Sequence, residues 1–210
     1  MPISTGEVLE FLRRAAEVLH QNKEYLTELD SAIGDADHGV NMDRGFQAVC
    51  SKLPAAVGQD TGSILKMVAM TLISTVGGAS GALYGTFFLK MAGVTAGKLE
   101  LSPADWCSAL AAGVEGIARR GKAVPGDKTM LDTLIPGLEA LKSAVAADAP
   151  FAEALHQSAQ AAQQGMLSTI PLVARKGRAS YLGERSAGHQ DPGATSACLL
   201  LQAAADTFSK

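Results

Sequence analysis

The chain has 210 residues, 47% of them hydrophobic, with 18 Lys and Arg against 21 Asp and Glu, which suits one globular domain at roughly 100–200 residues per domain. The net charge of −3 leaves no basic footprint for a phosphate backbone and excludes a direct nucleic-acid reader. Cys50, Cys107 and Cys198 are odd in number and far apart, so a disulfide framework and a thiolate zinc site are both unexpected and a reducing cytoplasm is the natural setting.

Helix-period patterns dominate and no segment alternates as a half-buried strand does, so the expected fold is all-α. The N-terminus carries Glu7 and Glu10 and no long apolar run, so a signal peptide is not expected. Ser4 and Glu7 form a capping box, and Val8, Phe11, Leu12, Ala15 and Leu19 follow at helical spacing, giving a first helix to about His20. A short helix over Asn22–Ser31 comes next, then a loop to Gly39 and a helix from Asn41 that must stop before Pro54. Helices are expected at about Asp60–Val76 and Gly81–Ala96. The uncharged run Met67–Leu89 exceeds the roughly 18 apolar residues that flag a membrane span. Gly77-Gly78-Ala79-Ser80-Gly81 divides it, however, so two buried helices fit better and no membrane role follows.

Ser102-Pro103 is an N-cap followed by proline at the first helical position, and the helix it starts ends near Arg119-Arg120-Gly121, with cations at its negative end. Helices at about Lys128–Val145, Ala149–Ala174 and Pro192–Phe208 complete the set, with Pro136 and Pro171 marking kinks or breaks. That makes about eight long helices in a single domain, 1–210, without internal repeats or low-complexity linkers.

Function is to be sought in the polar and glycine-rich loops between these helices. In the first, Asp30 precedes Gly34-Asp35-Ala36-Asp37-His38-Gly39-Val40-Asn41. Three carboxylates so close repel one another unless a cation lies between them, and oxygen ligands without thiolates favour Mg²⁺. The spacing is not that of an EF-hand, and Asp35, Asp37 and Asn41 would equally serve as turn and N-cap residues. His38, between the acids and a helix start, is placed to face a phosphate. The second loop, Gly77 to Gly81, lets an anion approach a helix start, or simply makes a tight turn. No P-loop is present, since Gly93 and Gly97-Lys98 are separated by three residues instead of four. In the third, Gly121 to Met130, Asp127 would cap a helix and Met130 offers an apolar surface for a purine. The fourth, Arg175 to Gly193, is long and carries Arg178, a candidate clamp for phosphate oxygens.

Gly34 to Gly39 with Asn41, Gly77 to Gly81, Gly126-Asp127-Lys128-Thr129-Met130, and Gly177-Arg178-Ala179-Ser180-Tyr181-Leu182-Gly183 to Asp191-Pro192-Gly193-Ala194 together resemble the nucleotide domain of dihydroxyacetone kinases. The resemblance covers the whole chain and is nearest to the stand-alone ADP-binding L subunits of the phosphoenolpyruvate-dependent bacterial enzymes. It implies a barrel of eight antiparallel helices with the nucleotide held by loops at one end. It implies that Asp30, Asp35 and Asp37 bind two Mg²⁺ ions bridging to the diphosphate. It also implies that His38, Gly39, Val40, Asn41, Ala79, Ser80, Gly121, Met130, Arg178, Asp191, Pro192 and Gly193 contact ADP. The partners implied are a K subunit that binds dihydroxyacetone and an M subunit linked to the phosphotransferase system; a homodimer and a transcription regulator are further partners it admits. ADP would take phosphate from M, and the ATP formed would pass it to dihydroxyacetone on K. A nucleotide domain of an ATP-dependent kinase, or a signalling module acting on the regulator, are the competing readings.

Overall fold

The computed structural model describes residues 2–209. Helix α1, Thr5–Gln21, starts at the expected capping box: Ser4 Oγ accepts from the Glu7 N–H, and the Glu7 carboxylate accepts from the Ser4 N–H at 2.8 Å. Such a box is worth about 1 kcal/mol. The chain then passes directly at Asn22 into α2, Lys23–Ile33. There follow α3, His38–Cys50; α4, Thr61–Thr75; α5, Gly78–Val94; α6, Pro103–Gly121; α7, Leu131–Ala146; α8, Phe151–Ser168; and α9, Pro192–Phe208. A 3-10 turn at Leu53–Ala56 precedes α4, and a longer 3-10 segment, Arg178–Ser186, precedes α9.

The packing order closes a ring. Helix α1 lies against α3, α3 against α4, and each later helix against the next through α9, which returns to α1. This is the eight-helix barrel that the resemblance implied. Helix α2 stands outside the ring, against α3, α9 and the 3-10 segment. The interior is mostly aliphatic, with two aromatic groups: Trp106 meets Phe11 at 5.9 Å and Phe208 at 5.0 Å between ring centres, and Phe88 meets Phe87 at 5.2 Å and Phe46 at 6.3 Å. Among the described residues no helix is long and apolar enough to cross a membrane. The uncharged Met67–Leu89 run lies in the paired helices α4 and α5.

Several boundaries differ from the expected ones, each for a tertiary reason. Helix α3 begins at His38, not Asn41, because the Asp30 carboxylate accepts the Asp37 and His38 N–H groups at 2.9 and 3.1 Å, acting as a cap from seven and eight residues away. Helix α5 begins at Gly78, taking the glycines into its first turn, where a side chain at position 81 would strike the Val76 carbonyl. Helix α7 starts at Leu131 instead of Lys128 and runs unbroken through Pro136. Proline cannot donate to the Asp132 carbonyl, and that oxygen lies against Gly165 of α8, where a Cβ would overlap it. Helix α8 stops at Ser168, well short of Ala174, two residues before Ile170, which Pro171 biases away from the helical conformation. A two-residue antiparallel pair, Ile3–Ser4 with Glu100–Leu101, also fastens the N-terminus to the loop before α6. It is too short to leave an alternating pattern.

Candidate functional site

A cavity of about 630 Å³ opens at one end of the barrel, within the range of roughly 300–1,000 Å³ for small-molecule sites. The starts of α3, α5, α7 and α9 all reach it, as do the end of α6 and the segment before α9. Around an alternating ring, every second helix presents its N-terminus to the same end. Helices α1, α4 and α6, which start at the other end, have hydrogen-bonding N-cap side chains, Ser4, Asp60 and Ser102. At the cavity Asp191 caps α9 through the Ala194 N–H at 2.6 Å, α3 is capped by the more distant Asp30, Thr129 Oγ1 accepts the first N–H of α7 at 3.2 Å, and α5 starts at Gly77 with no side-chain cap. Helix N-termini that converge on one space attract anions, and the α5 start has N–H groups free of a cap side chain to receive one.

Beside them lies a carboxylate cluster that could hold a cation. Asp30 at the end of α2 and Asp35 and Asp37 in the following loop each offer a carboxylate oxygen, all within 4.8 Å of one another. Asp30 is buried; Asp35 and Asp37 are exposed. The turn that aims the pair passes through Ala36 at φ 59°, a left-handed conformation that costs a residue with a Cβ about 1–2 kcal/mol. Arg178 pairs with Asp35 at 3.0 Å, and among the described residues no ion pair reaches Asp30 or Asp37, so negative charge is left over in the cluster. The donor set, all hard oxygen, fits Mg²⁺.

His38 lies in the wall of this cavity, buried, with Nε2 2.9 Å from Ser196 Oγ and Nδ1 3.2 Å from Ser80 Oγ. Burial lowers its pKa, against a smaller upward pull from Asp30 and Asp37. Both ring nitrogens are thus held by hydroxyls, and the ring reaches an anion through Ser80 instead of facing it directly. Asp191 is pushed up to about 7 by burial, with the Ala194 N–H and Lys128 pulling the other way. Met130, Leu83, Ile117 and Ala123 give the lining an apolar part that could receive a base.

The cavity collects Asp30, Asp35, Asp37, His38, Ala79, Ser80, Gly121, Met130, Arg178, Asp191, Pro192 and Gly193. It does not collect the other three expected residues. Gly39 is turned toward α2, where a Cβ would overlap the Lys23 carbonyl oxygen and crowd Thr27. Val40 is exposed away from the cavity, and Asn41 Oδ1 accepts from Arg44 Nη2 at 2.6 Å. Gly39→Ala should therefore destabilise the fold by about 1–3 kcal/mol, the usual cost of overpacking, with α2 and α3 forced apart. A melting temperature unchanged from the parent would contradict this.

The sequence reading missed Lys128. It is 1% exposed, and its ammonium donates to the carbonyls of Ser186 at 2.7 Å, Leu172 at 3.1 Å, Ile170 at 3.4 Å and His189. It thereby ties down the segment that carries Arg178 and Asp191. Asp127 does not cap α7; its carboxylate closes its own loop by accepting from the Val124 N–H, while Asp132 accepts from the N–H groups of Gly126 and Thr129. A lysine inside a glycine-containing loop gives no local sign of such a role.

Comparisons with known proteins identify the family. The DAK2 domain family model matches residues 32–206. The chain is 47% identical over 202 residues to the ADP-binding subunit DhaL of the PEP-dependent dihydroxyacetone kinase of Escherichia coli K12, covering 96% of each chain. It is 42% identical to the ADP-binding subunit DhaL of the PTS-dependent dihydroxyacetone kinase of Lactococcus lactis, over 95% of this chain and 96% of that one. The crystal structure of the dihydroxyacetone kinase from C. freundii in complex with AMP-PNP and Mg²⁺ superposes with a TM-score of 0.74 at 23% identity, over 98% of this chain but 34% of that longer one, a likeness of fold. A shared domain over most of the chain and near-complete alignment with stand-alone subunits lead to one conclusion: this chain belongs to the DAK2 domain family, with the DhaL subunits of dihydroxyacetone kinases.

Proposed function

We propose that this chain is the nucleotide-binding subunit of a phosphoenolpyruvate-dependent dihydroxyacetone kinase in glycerol and dihydroxyacetone catabolism. The observation that carries the reading is the meeting of the Asp30, Asp35 and Asp37 carboxylates with the start of α5, which lacks a cap side chain, on one cavity. The likeness over 96% of the chain to a subunit named for ADP binding supports it.

Asp30, Asp35 and Asp37 would hold two Mg²⁺ ions, which supply charge neutralisation on the phosphate oxygens. The N–H groups of Ala79 and Ser80 at the start of α5 receive the diphosphate, and the apolar lining by Met130 receives the base. Arg178 is 66% exposed at its side chain and its recorded ion pair is with Asp35; with a cation on Asp35 it is released to clamp phosphate oxygens. The chain holds the coenzyme between two transfers: it presents ADP to a phosphotransferase-linked M subunit, then presents the ATP formed to dihydroxyacetone on a K subunit. The three cysteines are unpaired, which suits the cytoplasm.

The test is to denature the purified protein, identify the released nucleotide by chromatography and count Mg²⁺ by elemental analysis. Near-stoichiometric ADP with about two Mg²⁺ per chain is expected, as the likeness to the L subunits implies and as a carboxylate cluster beside substrate phosphates can hold. Chelation should release both together. An empty protein that binds ATP only weakly and exchanges it freely would overturn the coenzyme reading in favour of an ATP-dependent kinase domain.

A further inference from the structure

Tyr84, on α5, is among the most deeply buried side chains of the barrel, in a helix whose other inward aromatics are Phe87 and Phe88. Phenylalanine would fill the space, so the hydroxyl needs its own explanation. It lies 2.7 Å from Ser196 Oγ on α9, its one hydrogen-bond partner among the described residues. Ser196, fully buried, is 2.9 Å from His38 Nε2, and His38 Nδ1 is 3.2 Å from Ser80 Oγ in the cavity wall. We propose that Tyr84 and Ser196 are positioning residues for the anion end of the cavity: with His38 they form a directed hydrogen-bond chain that leaves the Ser80 proton free to be donated into the cavity. The inference rests on the nucleotide reading and adds to it how Ser80 is oriented.

The direction follows from counting protons. If Tyr84 accepted from Ser196, its own proton would be buried without a partner, a loss larger than the bond gained; so Tyr84 donates. Ser196 then has one proton and two acceptors in reach, His38 Nε2 at 2.9 Å and the Gly193 carbonyl at 3.1 Å. The Gly193 carbonyl, in the first turn of α9, is already positioned for a helical N–H four residues on. The ring nitrogen is closer, and a hydroxyl that accepts from Tyr84 is itself a stronger donor. With Nε2 accepting, the ring proton sits on Nδ1 and is donated to Ser80 Oγ. Ser80, the third residue of α5, accepts it and keeps its own proton for the phosphate that its backbone N–H also faces. The opposite tautomer would draw the Ser80 proton onto the ring and turn an oxygen lone pair toward an anion.

Two measurements test this. In the nucleotide-free protein, the nitrogen-15 resonances of the His38 ring should show Nδ1 protonated and Nε2 bare; the reverse pattern overturns the proposal whatever the protein binds. Calorimetry with Mg·ADP should then show Tyr84→Phe weakening binding about 3- to 10-fold, the size of one hydrogen bond. In a Ser80→Ala background the same substitution should change affinity by less than about twofold, as interaction through a shared residue requires. A Tyr84→Phe effect that is equal in both backgrounds, or confined to thermal stability, would make the tyrosine merely structural and overturn the proposal. A parent protein that binds no Mg·ADP would instead sink the nucleotide reading, and the role given to Ser80 with it, even with Nδ1 protonated.

Discussion

Asp37→Asn should lower the affinity for Mg·ADP at least about 100-fold and leave the nucleotide-free protein as stable as before, or more so. The substitution keeps the shape of the side chain and removes one charge from a set of three carboxylates within 4.8 Å of one another. Asp37 is exposed, and its carboxylate makes no hydrogen bond or ion pair among the described residues. Nothing in the apo fold depends on it, and mutual repulsion falls when it is neutralised. Titration calorimetry and thermal melting on the same samples separate the two effects. Retained affinity would show that the cluster is not the cation site.

Asp30→Asn gives the contrasting result. Its carboxylate faces the cluster and also accepts the Asp37 and His38 N–H groups that start α3. Loss of the charge should weaken nucleotide binding and stability together, because hydrogen bonds to a charged acceptor are stronger than those to an amide oxygen. A cluster member that also builds the fold thus differs measurably from one that only binds.

The same pair of residues indicates what a sequence can disclose. The α1 and α6 starts were readable because their signals are local, the capping box of Ser4 with Glu7 and the Ser102 N-cap followed by Pro103. The start of α3 was not, because its cap is Asp30, seven residues from Asp37, across a loop whose path depends on a left-handed Ala36. Gly39, Val40 and Asn41, which the resemblance implied as nucleotide contacts, lie in the first turn of α3. As helical residues they face different directions, and only His38 remains on the cavity. The four loops were found because glycine, aspartate and proline mark them locally. The Tyr84, Ser196 and His38 contacts span 112 and 158 residues, distances at which a single sequence shows no pattern.

Lys128→Met should lower the melting temperature by roughly 6–12 °C and make the segment from Arg175 to Arg185 the preferred site of tryptic cleavage. Methionine matches the stem of lysine but brings no donor. The carbonyls of Ile170, Leu172, Ser186 and His189 would lose the ammonium they share, in a place that is 1% exposed at Lys128. Breaking hydrogen bonds to a buried charge costs about 3 kcal/mol or more, and about 2–4 °C accompanies each kcal/mol in a domain of this size. Lys128→Arg should not restore the parent, since a planar guanidinium cannot replace a compact ammonium among converging carbonyls. The proteolysis distinguishes two roles for the lysine. Early cuts at Arg175, Lys176, Arg178 or Arg185, with the helices still protected, mean that it holds the segment bearing Arg178 onto a barrel stable without it. A fall in melting temperature with cleavage spread over the whole chain would mean that the lysine supports the barrel itself, and that Arg178 owes its place to the helices.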